Sequence, residues 1–207
     1  NPYGLLWEEI TANSLIKVDA GGEIVHQGST DCPINPAGFK IHSALHTSER
    51  APDWVMHLHV PEVNAVANLE GGLIRGLSVY SMDLGGISSH DFQHATSSSS
   101  DVCARMIEDL GPENKVLLLP NHGAITIGET LHEAFYLTYE LVEACKVQIM
   151  TQSCANSQTG YSVVDEQIVD ETYRIVQNNY TGNEFGKLEW DAVKRKMEAQ
   201  QGTGYKQ

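Results

Sequence analysis

The sequence predicts one α/β domain, and three observations carry that expectation. Trp54 to Val60 is a short, mostly apolar run that reads as a buried strand, and Pro61 directly after it opens a helix. Lys115 to Leu119 is a second apolar run, followed by a Pro120-Asn121-His122-Gly123 turn and the apolar Ala124 to Ile127. At 207 residues the chain suits a single core, and no internal repeat is visible. Residues 1–207 are therefore read as one domain, with 187–207 as a C-terminal extension.

The elements follow in chain order. Leu15 to Asp19 reads as a strand closed by the Gly21-Gly22 turn, from which Glu23 to His26 returns as a hairpin. Asn35-Pro36 supplies a cap and a first-turn proline for a helix running to about Glu49. After the strand at Trp54, Val63, Val66 and Ala67 form the inward stripe of the next helix. Gly76 to Met82 reads as a further strand, and the Ser-rich Ser97 to Ser100 as a connector before a helix over Asp101 to Leu110. Thr130 and Glu133 form a capping-box pattern that opens the longest helix, to about Met150, with Phe135, Leu137, Tyr139, Leu141, Val142, Cys145 and Val147 available to pack. Tyr136 and Tyr139 are read as core or interface aromatics. A helix near Val164 to Gln177, a loop over Asn178 to Gly186 and a charged segment from Leu188 to Gln200 complete the chain.

Composition excludes several function classes. Thirteen Lys and Arg stand against 27 Asp and Glu, and the net charge of −14 disfavours broad contact with nucleic acid or anionic lipid, which need clustered cations. No apolar run approaches the roughly 18 residues of a membrane helix, and Asn1 to Trp7 lack the features of a signal peptide. Cys32, Cys103, Cys145 and Cys154 show neither CxxC pairs nor scaffold density, so they are read as thiols in a cytoplasmic protein. The Asn179-Tyr180-Thr181 sequon carries little weight beside that. Asn1-Pro2-Tyr3-Gly4 opens directly into structured sequence, so the natural chain is expected to begin upstream.

One constellation can carry chemistry. Residues i and i+2 of a strand share a face, so His57 and His59 present two imidazoles side by side, as a facial metal site requires. His122, just past a buried strand on an Asn-His-Gly turn, is the natural third ligand. Taken alone, an HxH in a strand is weak evidence for a metal, and the residues fit two histidines packed or hydrogen-bonded in a core better.

Together they resemble the class II aldolase/adducin family, in which an HxH strand and a later His-Gly turn supply three zinc-binding histidines. The resemblance spans nearly the whole chain. Its matching pieces are Pro2 to Leu6, Ile10 to Leu15, Asn35-Pro36-Ala37-Gly38-Phe39, His42-Ser43-Ala44, His57-Leu58-His59, His90-Asp91 and Asn121-His122-Gly123. It implies a three-layer α/β/α fold with a central mixed, largely antiparallel sheet, a homotetramer with sites near subunit interfaces, and Zn2+, Mn2+ or another divalent metal on His57, His59 and His122. It also implies that the family's upstream strand and part of a phosphate-binding loop precede Asn1.

The chain departs from the aldolases at one position. Their catalytic glutamate, four residues before the counterpart of His42, is here Gly38, which has no side chain to take a proton; the segment looks like the adducin branch. Glu49, Glu62, Glu70 and Asp83 are candidate replacement carboxylates, each also readable as a solvated surface charge. By resemblance, His42 and His90 line the pocket and Tyr205 matches the C-terminal tyrosine that aldolases use as an acid. His42 with His46, and His90 with Asp91, also fit packing and capping.

Two functions follow. One is a metal-dependent lyase performing aldol cleavage or decarboxylation on a small carbonyl substrate. The other is a non-catalytic adducin-like head for self-association and for binding a cytoskeletal protein such as actin or spectrin.

Overall fold

The computed structural model describes residues 1–91, 99–155, 159–179 and 184–206. Ser97 and Ser98 of the Ser-rich connector, and Tyr180 and Thr181 of the sequon, lie outside the described residues. The chain divides into two compact units, residues 1–51 with 191–207, and residues 52–190.

In the first unit, β1 (Lys17–Val18) and β2 (Ile24–His26) form the expected antiparallel hairpin. Asp19 closes its turn by accepting hydrogen bonds from the Gly21 and Glu23 amides at 2.9 and 3.0 Å. The helix α1 (Pro36–His46) starts where Asn35 and Pro36 predict, with the Asn35 carboxamide oxygen accepting from the Ala37 amide at 3.0 Å. It ends three residues short of Glu49, because the Thr47 hydroxyl donates to the Ser43 carbonyl at 2.7 Å and closes the last turn.

The second unit is built on a four-stranded sheet of β3 (Trp54–Leu58), β4 (Ile87–Ser89), β5 (Val116–Leu119) and β6 (Gly123–Gly128), in the order β3-β6-β5-β4. The β3-β6 and β6-β5 pairs are antiparallel and β5-β4 is parallel, so the sheet is mixed and largely antiparallel. Gly76 to Met82 is not a strand. Residues Arg75–Leu77 form a 3-10 turn, and the short α3 (Val79–Met82) follows. Ser78 and Ser81 decide this: each hydroxyl accepts the other's amide, at 3.3 and 3.1 Å, and the Ser81 hydroxyl also donates to the Arg75 carbonyl. The third expected position for a strand is taken by β4 instead.

Five further helices frame this unit: α2 (Pro61–Ala67), α4 (Ser99–Leu110), α5 (Leu131–Cys154), α6 (Glu166–Asn179) and the start of α7 (Lys187–Gln201). The Thr130 hydroxyl caps α5 by accepting the Glu133 amide at 3.2 Å. Strand alternation sends Val116, Leu118 and Ala124 to one face, where they pack with Val63 and Val66 of α2 and Leu137, Leu141 and Cys145 of α5. Leu117, Leu119, Ile125 and Ile127 project to the other face and are buried too. Burial of both faces is what makes β5 a continuous apolar run. Tyr136 is buried as expected, whereas Tyr139 is 47% exposed and stacks on Phe135 with ring centres 6.4 Å apart. With Leu137, Leu141 and Ala144 facing inward, position 139 falls on the outer side of the helix. Among the described residues no helix is long and apolar enough to cross a membrane.

Candidate metal centre

Strand directions place the histidines. Because β6 runs antiparallel to both β3 and β5, and β4 runs parallel to β5, the C-terminal ends of β3, β4 and β5 share one edge of the sheet. Chemistry in open α/β sheets gathers at such edges. His59 follows β3, His90 follows β4 and His122 follows β5.

His57 lies opposite Ile125 in the β3-β6 ladder. Its Nδ1 is 3.0 Å from the Ala124 carbonyl oxygen, which can only accept, so Nδ1 carries the hydrogen and Nε2 keeps its lone pair. That Nε2 is 3.0 Å from Nε2 of His59. The ring centres of His57, His59 and His122 form a near-equilateral triangle with sides of 4.8, 4.9 and 4.7 Å. One ligand nitrogen from each lies within 4.8 Å of the others. Burial, and then the neighbouring His59, hold the His122 pKa below the ordinary imidazole value, which favours the neutral form that can ligate.

Two backbone features make the convergence feasible. A Cβ on Gly123 would stand 2.3 Å from the Leu58 carbonyl and 3.2 Å from the His59 ring, so only glycine lets β6 start beside the HxH segment. In the turn before it, Asn121 adopts φ 62° and the His122 amide donates to the Leu119 carbonyl at 3.0 Å. Pro120 at the second position and a positive φ at the third are the marks of a type II turn.

Among the described residues the converging group holds three imidazoles and no carboxylate. Asp83, one of the candidate replacements, instead accepts the Tyr136 hydroxyl at 2.9 Å. His90 is 6% exposed; its amide donates to the Leu118 carbonyl and its Nδ1 lies 2.6 Å from an Asp109 carboxylate oxygen. Its Nε2 is buried and, among the described residues, has no hydrogen-bond partner. Asp109 is 19 residues further along the chain, on α4, and no sequence pattern singles it out. His42 and Tyr205 belong to the first unit. His42 is half-buried on α1 with its ring centre 6.1 Å from that of His46, and burial followed by His46 lowers its pKa. Tyr205 donates to Glu198 at 2.6 Å, a bond that raises the phenol pKa.

A second titratable group was invisible in the sequence. Glu140 is 6% exposed on α5, and burial, reinforced by the charges of Asp83, Glu189 and Glu143, pushes its carboxyl up to about 8. Burial, with Glu140 and Asp83, pushes the Tyr136 phenol up as well. The buried Cys145 thiol is raised to about 12, which leaves it inert at neutral pH.

A mixed sheet carrying three convergent imidazoles at one end of its strands defines an α/β domain of class II aldolase type. Residues 1–149 match the Class II Aldolase and Adducin N-terminal domain, and the chain belongs to that family. Alpha-adducin of Rattus norvegicus is 37% identical over 164 residues, covering 79% of this chain and 22% of the adducin. The chain thus spans under a quarter of that relative's length. A Pseudomonas aeruginosa protein, provisionally named an aldolase class 2 protein, is 35% identical over 210 residues, covering 100% of this chain and 78% of its own. Among solved structures, an aldolase II superfamily protein from Pseudomonas syringae superposes with TM-score 0.85 at 31% identity, over 99% of this chain and 79% of that one. The L-fuculose 1-phosphate aldolase of Glaciozyma antarctica shares the fold, with TM-score 0.81 at 23% identity over 100% and 76%.

Proposed function

We propose that His57, His59 and His122 hold a divalent cation, zinc or manganese, and that the domain is a metal-dependent carbon-carbon lyase acting on a small carbonyl substrate by aldol cleavage or decarboxylation. The observation that carries this reading is the convergence of the three imidazole nitrogens within 4.8 Å. The donor set suits zinc, for which three histidines and one open position are a catalytic pattern. A cation there would supply Lewis acidity toward a carbonyl or enolate oxygen. The protein's own part is to fix the ligands: the Ala124 carbonyl sets the His57 tautomer, and burial favours the neutral form of His122.

With Gly38 in place of a base, the proton-transfer role falls to His90, whose Nδ1 hydrogen is held by Asp109 and whose Nε2 is left able to accept. If His90 moves the proton, Asp109→Asn is expected to lower turnover by about 100-fold or more while leaving metal content unchanged. Wild-type turnover in that variant, measured across pH 5 to 9, removes His90 from the mechanism.

Gly38 and the identity to alpha-adducin favour a second reading, a cytoplasmic adducin-like head that assembles into a homo-oligomer, a tetramer by family resemblance, and binds a cytoskeletal protein. Elemental analysis of the purified protein decides first. About one equivalent of zinc or manganese per subunit, with turnover on hydroxy-carbonyl or keto-acid compounds, supports the lyase. A metal-free protein after reconstitution favours the head.

A further inference from the structure

We infer that Asn68 is a positioning residue for the candidate metal centre, acting through the conformation of the turn that carries His122. This rests on the metal-binding reading above. Asn68 is the C-cap of α2, and its carboxamide oxygen accepts the Asn121 amide at 2.5 Å, across 53 residues of sequence.

The chemistry of the turn gives that contact its meaning. Type I and type II turns differ by a flip of the central peptide, here the one joining Pro120 to Asn121. In the flipped, type II state the residue after that peptide must take positive φ, as Asn121 does. The amide of the flipped peptide is not used by the turn's own hydrogen bond, which runs from His122 to Leu119. Asn68 supplies a fixed acceptor for it within the protein. Without it the competing flip state, with negative φ at a non-glycine residue, is sterically preferred. Asn121 immediately precedes His122, so the flip state sets the direction from which the third imidazole leaves the backbone. The nitrogens of His57 and His59 are fixed separately, by the β3-β6 ladder and the Ala124 carbonyl. The Asn68 contact therefore governs one ligand of the three.

Two readouts test this. The first, independent of metal, is hydrogen exchange at the Asn121 amide: Asn68→Ala exchanges faster than wild type, and Asn68→Asp, which keeps an oxygen acceptor, restores protection. The second is Co2+ affinity and the cobalt ligand-field absorption. Asn68→Ala is expected to bind about tenfold more weakly with an altered band, the low end of the loss that ligand-orienting groups cause, and Asn68→Asp to recover the wild-type band. Unchanged melting temperatures separate this effect from loss of fold, and if Asn68→Ala melts early, the comparison of Asn68→Asp with Asn68→Leu replaces it. Faster exchange with unchanged cobalt affinity and spectrum overturns the positioning role. Unchanged exchange in Asn68→Ala overturns the latch itself. A wild-type protein that binds no cobalt sinks the underlying metal reading and is recognised as such, because the exchange result stands apart from it.

Discussion

His122→Ala is expected to strip the protein of its metal. Three imidazoles converge on one point, and with two remaining the donor set drops below what either structural or catalytic zinc sites use. Disturbing groups that merely orient ligands costs about 10 to 100-fold in affinity, so loss of a ligand should exceed about 100-fold. Competition against a chromophoric chelator gives the ratio, and elemental analysis gives the stoichiometry. His57→Ala is expected to match it, whereas His46→Ala, from the first unit's histidine pair, should retain full metal. A His122→Ala protein that keeps one equivalent would mean that any bound metal sits elsewhere.

The second large effect concerns pH rather than metal. Glu140 carries a carboxyl raised from an ordinary 4.5 to about 8, first by burial and then by Asp83, Glu189 and Glu143. The folded state therefore keeps a proton that the unfolded chain gives up above pH 4.5. Stability from this group is fully present below that pH, declines as the pH rises, and stops falling once the folded carboxyl ionises near 8. The shift corresponds to about 5 kcal/mol at most, and solvent reaching the cluster should reduce the realised value to about 2 kcal/mol. Burial raises Asp83 in the same direction, which steepens the same decline. Glu140→Gln removes the ionisation while keeping the shape, so it should match wild type at pH 4.5 and exceed it by about 2 kcal/mol at pH 8.5. Urea unfolding at both pH values measures the gap, and a gap that does not change with pH would show that Glu140 ionises normally.

Much of this architecture was legible in the sequence for a physical reason. A strand buried on both faces must be apolar throughout, so Val116 to Leu119 announced itself, and strand periodicity alone puts His57 and His59 on one face. Caps at Asn35 and Thr130 marked two helix starts because their acceptors are local. β4 escaped notice because three residues, Ile87 to Ser89, hold no period long enough to detect. The segment from Gly76 to Met82 misled because two serines capping each other prevailed over its apolar content. Asp109, Asn68 and Glu140 matter only through partners that the fold brings in from elsewhere in the chain. No local pattern can disclose such pairs.

The pairing of β3 with β6 has a consequence for what change this domain can absorb. His57 sits opposite Ile125 and Leu58 opposite Ala124, with Gly123 tucked against the Leu58 carbonyl. Sliding one strand past the other by a single residue would turn each side chain to the reverse side of the sheet. The imidazoles would then enter the aliphatic layer under α5, and Leu58 would leave it. Ligand geometry and strand alignment are thus one specification written once. Lengthening or shortening the Pro120-Asn121-His122 turn by one residue should abolish ion binding and folding together, whereas the outer surface of α5 around Tyr139 is free to diversify.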